Sequence, residues 1–235
     1  MNIIKKLCVV ALLSLGAISA NAQLSHLESS VYMNGNFPVG NFARNVNDNL
    51  VPMNKDNVGM DAIVGFGLGL RVGYNFDIGF GSVTPYVHLD FNWNALRGAH
   101  RDQYSIMSCK APSYVNIPVY VGVNYRYHIE NTIFTPFVEF GVGSDALFIS
   151  KEGDGAAVPK IRYKPSMAFA WQVGLGTYLG EHVSASLHYS GLGRHTINYT
   201  SGTRDELMNN YPSYYIGAVK WQNLGMLSLR IGFHF

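Results

Sequence analysis

Several groups of residues in this 235-residue chain are of types that do chemistry. Gly141-Val142-Gly143-Ser144-Asp145-Ala146 matches G-x-G-x-x-A, which carries a pyrophosphate where a strand hands over to a helix. Leu147 to Gly153 reads as strand end and loop, so no dinucleotide site is expected. His100-Arg101-Asp102 with Ser105 gathers His, Asp and Ser types in one segment. Triad chemistry needs a particular geometry that closeness in sequence does not supply, so the expected reading is a solvated loop. The chain holds 8 His, without an H-x₃-H pair or a Cys partner; no metal site and no cofactor are expected. His88, His188 and His234 read as polar filler. Cys109, in the context Met107-Ser108-Cys109-Lys110, reads as a bland loop cysteine. No catalytic residue is assigned, and the chain is not expected to be an enzyme.

A further group is scattered: Arg71, Arg126 and Arg230 with Glu28, Asp90 and Glu139. What unites these six is the alternation of the segments that carry them. Leu227, Leu229, Ile231, Phe233 and Phe235 alternate with Met226, Ser228, Arg230, Gly232 and His234. Successive side chains of a strand point to opposite faces, so this is a strand with one apolar and one polar face. The same pattern runs through Val64–Tyr74, Tyr86–Asn94, Val115–Arg126, Phe137–Gly143, Ala168–Gly176 and Val183–Tyr189, and more weakly through Leu27–Phe37. That makes eight strands, and parity puts all six charges on the polar face.

Such strands fit a soluble barrel with its apolar face inside, or a membrane barrel with that face toward lipid. Three features select the membrane barrel. Connections alternate between long (38–59, 96–112, 147–165, 196–223) and short (Asp77 to Ser82, His128 to Asn131, Gly180-Glu181), as membrane barrels require. Aromatics gather on the apolar face at strand ends: Tyr74, Tyr125, Tyr127, Phe134, Phe233 and Phe235 at one rim, and Trp93, Phe169, Trp171 and Tyr189 toward the other. These fit girdles at two interfaces. The polar face is rich in glycine, which relieves crowding inside a narrow barrel and would only weaken a solvent-facing strand. Pro118, on the inner face, lacks a ladder donor and predicts a local bulge.

The N-terminus adds an address. Lys5 and Lys6 precede the apolar run from Leu7 to Ala17, and Ala20-Asn21-Ala22 is an A-x-A cleavage pattern. Residues 1–22 therefore read as a cleaved signal peptide, with the barrel domain over 24–235. Cys8 leaves with the signal, and no intrachain disulfide is expected. Without Lys5 and Lys6 the basic residues only match the 15 acidic ones. Charged residues are 14% of the chain, against about 25% in a typical soluble domain. That balance excludes a nucleic-acid binder, and 48% hydrophobic content excludes a disordered chain.

The terminal Leu229-Arg230-Ile231-Gly232-Phe233-His234-Phe235, the strand opening Asn116-Ile117-Pro118-Val119, and Phe37-Pro38-Val39-Gly40-Asn41-Phe42 carry a resemblance. The chain resembles the small eight-stranded outer-membrane barrels of Gram-negative bacteria, the OmpA/OmpX type. More closely it is similar to the PorT-like "outer membrane protein beta-barrel domain" proteins. The resemblance implies an antiparallel up-and-down transmembrane barrel in the outer membrane, surrounded by outer-membrane lipid. It also implies that Phe233 and Phe235 are read by the barrel-assembly machinery. The chain stops at the last strand, so a wall-tethering role is not expected. Both termini are expected on the periplasmic side.

Eight strands enclose an interior that side chains just fill. The six inward charges are therefore expected to pair and close the barrel, rather than line a gated ion path. The expected role is a non-enzymatic scaffold whose outer loops bind a ligand that the sequence does not identify. The alternatives are a narrow passive channel, a secretion-system accessory, and a loop-borne lipid-modifying enzyme.

Overall fold

The computed structural model describes residues 26–44, 60–97, 111–151, 162–197 and 220–235. The signal segment, His100-Arg101-Asp102, Ser105 and Cys109 lie outside the described residues. Eight long strands follow in order: β1 (Leu27–Val39), β2 (Ala62–Tyr74), β3 (Gly81–Leu96), β4 (Ser113–Tyr127), β5 (Phe134–Ile149), β6 (Ser166–Leu179), β7 (Val183–Ile197) and β8 (Lys220–His234). Each pairs antiparallel with the next. β1 also pairs with β8, Val31 opposite Phe233 and Gly35 opposite Leu229. The sheet thus closes into a barrel with no free edge.

The strands run 13 to 16 residues, longer than the roughly 9–11 a tilted membrane-spanning strand needs. Short turns join β2 to β3, β4 to β5 and β6 to β7. In the first, Phe76–Asp77 form a two-residue strand beside Val83 and Ser82. Gly79 takes φ +86° there, and its N–H donates to Asp77 Oδ1 at 2.8 Å.

Burial is inverted relative to a water-soluble domain. Phe66, Leu68, Val121, Val138 and Leu175 are exposed on the outside, whereas Asn36, Asp90, Asn116, Gln172 and Arg230 are buried inside. A continuous apolar outer wall of this kind is unsuited to water and matches the lipid-facing band of a membrane barrel. Aromatic pairs sit near its margins: Tyr74 against Phe76 at the short-turn end, and Phe66 against Trp93 and Trp171 against Tyr189 toward the other.

The sequence placed a bulge at Pro118, and the structure corrects this. Pairing of β3 with β4 is interrupted beside Pro118, but the register of Leu89 with Val119 carries straight on to Asn92 with Asn116. The missing donor is simply omitted, and Pro118 still pairs with Asp145 on its other side. The register shifts fall instead between Ala62 and Gly65 on β2 and between Gly191 and Gly193 on β7. Gly193 has φ +84°, and a Cβ there would lie 2.0 Å from the Phe169 carbonyl oxygen. Only glycine fits that bulge.

Candidate functional site

The site is the lumen, and inward glycines create its space. A Cβ at Gly67 would fall 2.2 Å from Asn92 Oδ1, and one at Gly69 2.3 Å from Asp90 Oδ1. The glycine strip on β2 thus lets side chains of β1 and β3 meet across it. Asn34 Nδ2 donates to Asp90 Oδ1 at 2.9 Å, and Asn36 Nδ2 to Asn92 Oδ1 at 2.7 Å.

The six charged residues read from parity are all brought inside. Arg71 Nη1 donates to Glu139 Oε2 at 3.0 Å, and Nη2 to Glu28 Oε1 at 3.0 Å and to Tyr178 OH at 2.8 Å. Its guanidinium lies between the rings of Tyr32 and Tyr86, 5.1 and 5.4 Å from their centroids. Arg126 pairs with Glu28 Oε2 and covers the Tyr178 ring at 4.2 Å. Arg230 Nη2 donates to Asp90 Oδ2 at 2.7 Å and to Gln172 Oε1 at 3.2 Å, and Nη1 lies 3.9 Å from Glu139 Oε1. Glu28 links Arg126 to Arg71, and Glu139 links Arg71 to Arg230. The result is one connected string of opposite charges across β1, β2, β3, β4, β5 and β8. Burying an ion costs several kcal/mol unless partners replace its water, and here each guanidinium faces at least one carboxylate.

The histidines named from sequence join this string. His88 Nε2 is 3.0 Å from Asp90 Oδ1. His188 Nδ1 is 3.2 Å from Glu139 Oε1. His234 Nδ1 and Nε2 lie 2.7 Å from Ser30 Oγ and 2.8 Å from Ser184 Oγ.

The sequence reading missed a fourth inward histidine. The bulge at Gly191–Gly193 shifts the parity of β7, so His195 turns inward and its Nε2 lies 3.1 Å from Asp145 Oδ2. The two glycines flanking Leu192 were the available signal, since glycine within a strand marks bulges. Asp145 itself belongs to the Gly141–Ala146 motif. That motif lies wholly within β5, so its glycines serve close packing: a Cβ at Gly143 would sit 1.8 Å from the Val119 carbonyl oxygen.

At the long-loop end the lumen turns apolar. After β1 a single 3-10 turn, Gly40–Phe42, bends inward and buries Phe42 completely. Phe42 clusters there with Met60, Leu96, Leu147, Leu192 and Met226. Backbone bonds hold this stopper: Met60 N–H donates to the Asn41 carbonyl at 3.0 Å, and Asp61 N–H to that of Arg44 at 3.0 Å. Arg97 Nε donates to Asp61 Oδ1 at 2.6 Å, tying the end of β3 to the same platform. At the opposite end Phe233 and Phe235 point outward, and Phe235 is 73% exposed.

The family model described as "Outer membrane protein beta-barrel domain" matches residues 10–211. No curated protein matches the chain. Among solved structures it is similar to a major outer membrane protein from Thermus thermophilus (11% identity, 89% of this chain and 99% of that one, TM-score 0.47). It is also similar to Neisserial surface protein A (10% identity, 88% and 95%, TM-score 0.45) and to the attachment invasion locus protein Ail of Yersinia pestis (11% identity, 89% and 97%, TM-score 0.42). The family match spans most of the chain and agrees with a closed, inside-out, eight-stranded barrel: the chain belongs to the outer membrane protein beta-barrel domain family and is a protein of the bacterial outer membrane.

Proposed function

We propose that this barrel is a membrane scaffold with a closed lumen, which displays its four long connections at the cell surface as a binding module. One observation carries this reading: the string of ion pairs from Glu28 through Arg71 and Glu139 to Arg230 and Asp90 crosses the interior, with fully buried Asp90 at its far end. A solute path would have to part these pairs, and each buried charge left without its partner is strongly destabilising. The apolar stopper around Phe42 supports the same reading, since ions do not cross a dry apolar constriction. In this reading the outer wall contacts outer-membrane lipid, and the C-terminal strand is handled by the barrel-assembly machinery during insertion. A planar-bilayer recording of the full-length protein tests it. Conductance is expected to be absent or very small at every salt concentration; large, stable, porin-like steps would overturn the closed-lumen reading.

A further inference from the structure

Beside the apolar stopper, at the long-loop end where Ser166 lies opposite Leu147, is a second polar arrangement that the ion-pair string does not use. His195 reaches it only because the bulge at Gly191–Gly193 turns that side chain inward. Its Nε2 lies 2.9 Å from the Leu192 carbonyl oxygen and 3.1 Å from Asp145 Oδ2. Both are acceptors, so Nε2 carries the ring proton. Nδ1, 3.3 Å from Ser166 Oγ, is then the acceptor of the serine O–H. Ser166 is itself held by the backbone N–H of Thr196, which donates to Oγ at 3.0 Å. Asp145 is held in turn by Asn116, whose Nδ2 donates to Oδ2 at 2.6 Å. A nucleophile thus faces a base, and an anchored acid orients that base, which is the general pattern of an activated serine.

The other serine–histidine contacts among the described residues are sealed in the lumen: Ser30 and Ser184, on either side of His234, at 1% exposure, and Ser186, 2.9 Å from His188 Nε2, at 8%. The acids beside them are committed to the ion-pair string, Glu28 to Arg71 and Arg126, and Glu139, 3.2 Å from His188 Nδ1, to Arg71. Ser166, the first residue of β6, is partly exposed at the long-loop end. Bulges recur next to active sites because they re-aim single side chains, and this one brings a histidine to a partly exposed serine at the long-loop end.

We propose that Ser166 and His195, positioned by Asp145, form a nucleophilic site that hydrolyses small carboxylic esters at the outer mouth of the barrel. Ser166 Oγ bonds to the ester carbonyl carbon as its proton passes to His195 Nδ1. The acyl–oxygen bond of the ester breaks, and the alcohol leaves with that proton. Water then attacks the acyl-serine, giving one proton to Nδ1, and Ser166 recovers it as the carboxylic acid departs. Asp145 Oδ2 faces the ring at Nε2 and stabilises the imidazolium that forms in both halves. This activity is additional to the closed-lumen scaffold and does not depend on it.

Full-length protein folded in detergent, treated with a fluorophosphonate probe and mapped by peptide mass spectrometry, tests the proposal. The label is expected on Ser166 of the wild type and absent from Ser166→Ala. His195→Gln should slow labelling and p-nitrophenyl acetate hydrolysis by about 10²–10⁴-fold, the usual contribution of a general base. Asp145→Asn should lower kcat while leaving KM unchanged, which a merely structural role would not do. Heat-modifiable migration on gels verifies that each variant is folded. The wild-type map decides the matter even where a variant is not: no label, label on Ser30, Ser184 or another serine, or unchanged labelling of a folded His195→Gln barrel overturns the assignment.

Discussion

Arg71 on β2 and Glu139 on β5 meet inside the barrel, Nη1 to Oε2 at 3.0 Å, although 68 residues separate them in the chain. The contact crosses the lumen rather than following the wall, so it ties together strands that share no ladder. It also carries two further charges, because Arg71 bonds Glu28 and Glu139 lies within 3.9 Å of Arg230. Removing the carboxylate by Glu139→Ala leaves Arg71 with Glu28 alone and Arg230 with Asp90 alone. The expected loss is up to about 3–5 kcal/mol, the range for a buried charge that loses its partner outright. It is measured as a lower urea midpoint for unfolding from detergent micelles. Ser190→Ala is the matched control: Ser190 is also buried in the lumen, but its neutral hydroxyl takes no part in the string of charges, so its removal should shift the midpoint little. Equal losses for the two variants would mean that the ion pairs are not what holds the interior.

The outer wall makes the opposite demand. Leu68 and Val121 are 57% and 61% exposed on the apolar face. In the membrane that exposure is contact with hydrocarbon. Leu68→Arg or Val121→Arg should destabilise the inserted barrel by about 2–4 kcal/mol near the midplane, and by less toward the interfaces. The measurement is folding yield into vesicles, scored by heat-modifiable migration. Unimpaired insertion of both variants would argue against the assigned lipid face.

The stopper gives a prediction of another kind. Phe42 is fully buried and packs edge-on to Tyr114, with ring centroids 5.7 Å apart. Phe42→Ala should cost about 3–5 kcal/mol as a buried aromatic truncation. The loss should be local, because the ion-pair string below lies on other residues. Hydrogen exchange is the informative readout. Amides of Met60 and Asp61, whose N–H groups donate to the Asn41 and Arg44 carbonyls, should exchange faster in the variant. Amides near Arg71 and Arg230 should not. Uniform loss of protection would show that the stopper and the ion-pair string are one cooperative unit.

What could be read in advance follows from period and parity. The β8 alternation from Met226 to Phe235 is uninterrupted, so the inner position of Arg230 and the outer position of Phe233 are visible in the letters themselves. The partner of Arg230 is not. Its contact with Asp90 joins β8 to β3, and that meeting depends on the stagger of the closed sheet, which no single strand encodes. His195 was hidden for a sharper reason: one extra residue at a bulge reverses every later assignment on its strand. Phe42 was hidden because its inward turn is set by the packing of a loop base, not by strand period. Pro118 misled in the other direction, because a missing donor can be absorbed as a gap in the ladder without any change of register.

The C-terminal strand supplies the last prediction. Phe233 sits opposite Val31 of β1 on one side and Val183 of β7 on the other, so it lies at the seam where the barrel closes. Phe235 follows at the end of the chain, its N–H donating to the Ser29 carbonyl at 2.9 Å while its ring points outward. Its backbone thus helps close the seam, and its side chain stands at the interfacial rim where aromatics anchor barrels. Changing Phe233 and Phe235 to serine keeps every backbone bond and removes only the two rings. The expected outcome is a lower yield of inserted, heat-modifiable protein in outer-membrane fractions, with material accumulating unfolded in the periplasm. Purified variant refolded directly into detergent should form the barrel nearly as well as the wild type, because detergent folding needs the ladder and not recognition by an assembly machine. That pair of results would separate a role in being recognised from a role in holding the barrel together. Equal defects in both settings would assign the rings to stability alone, and normal yield in the membrane would remove them from assembly.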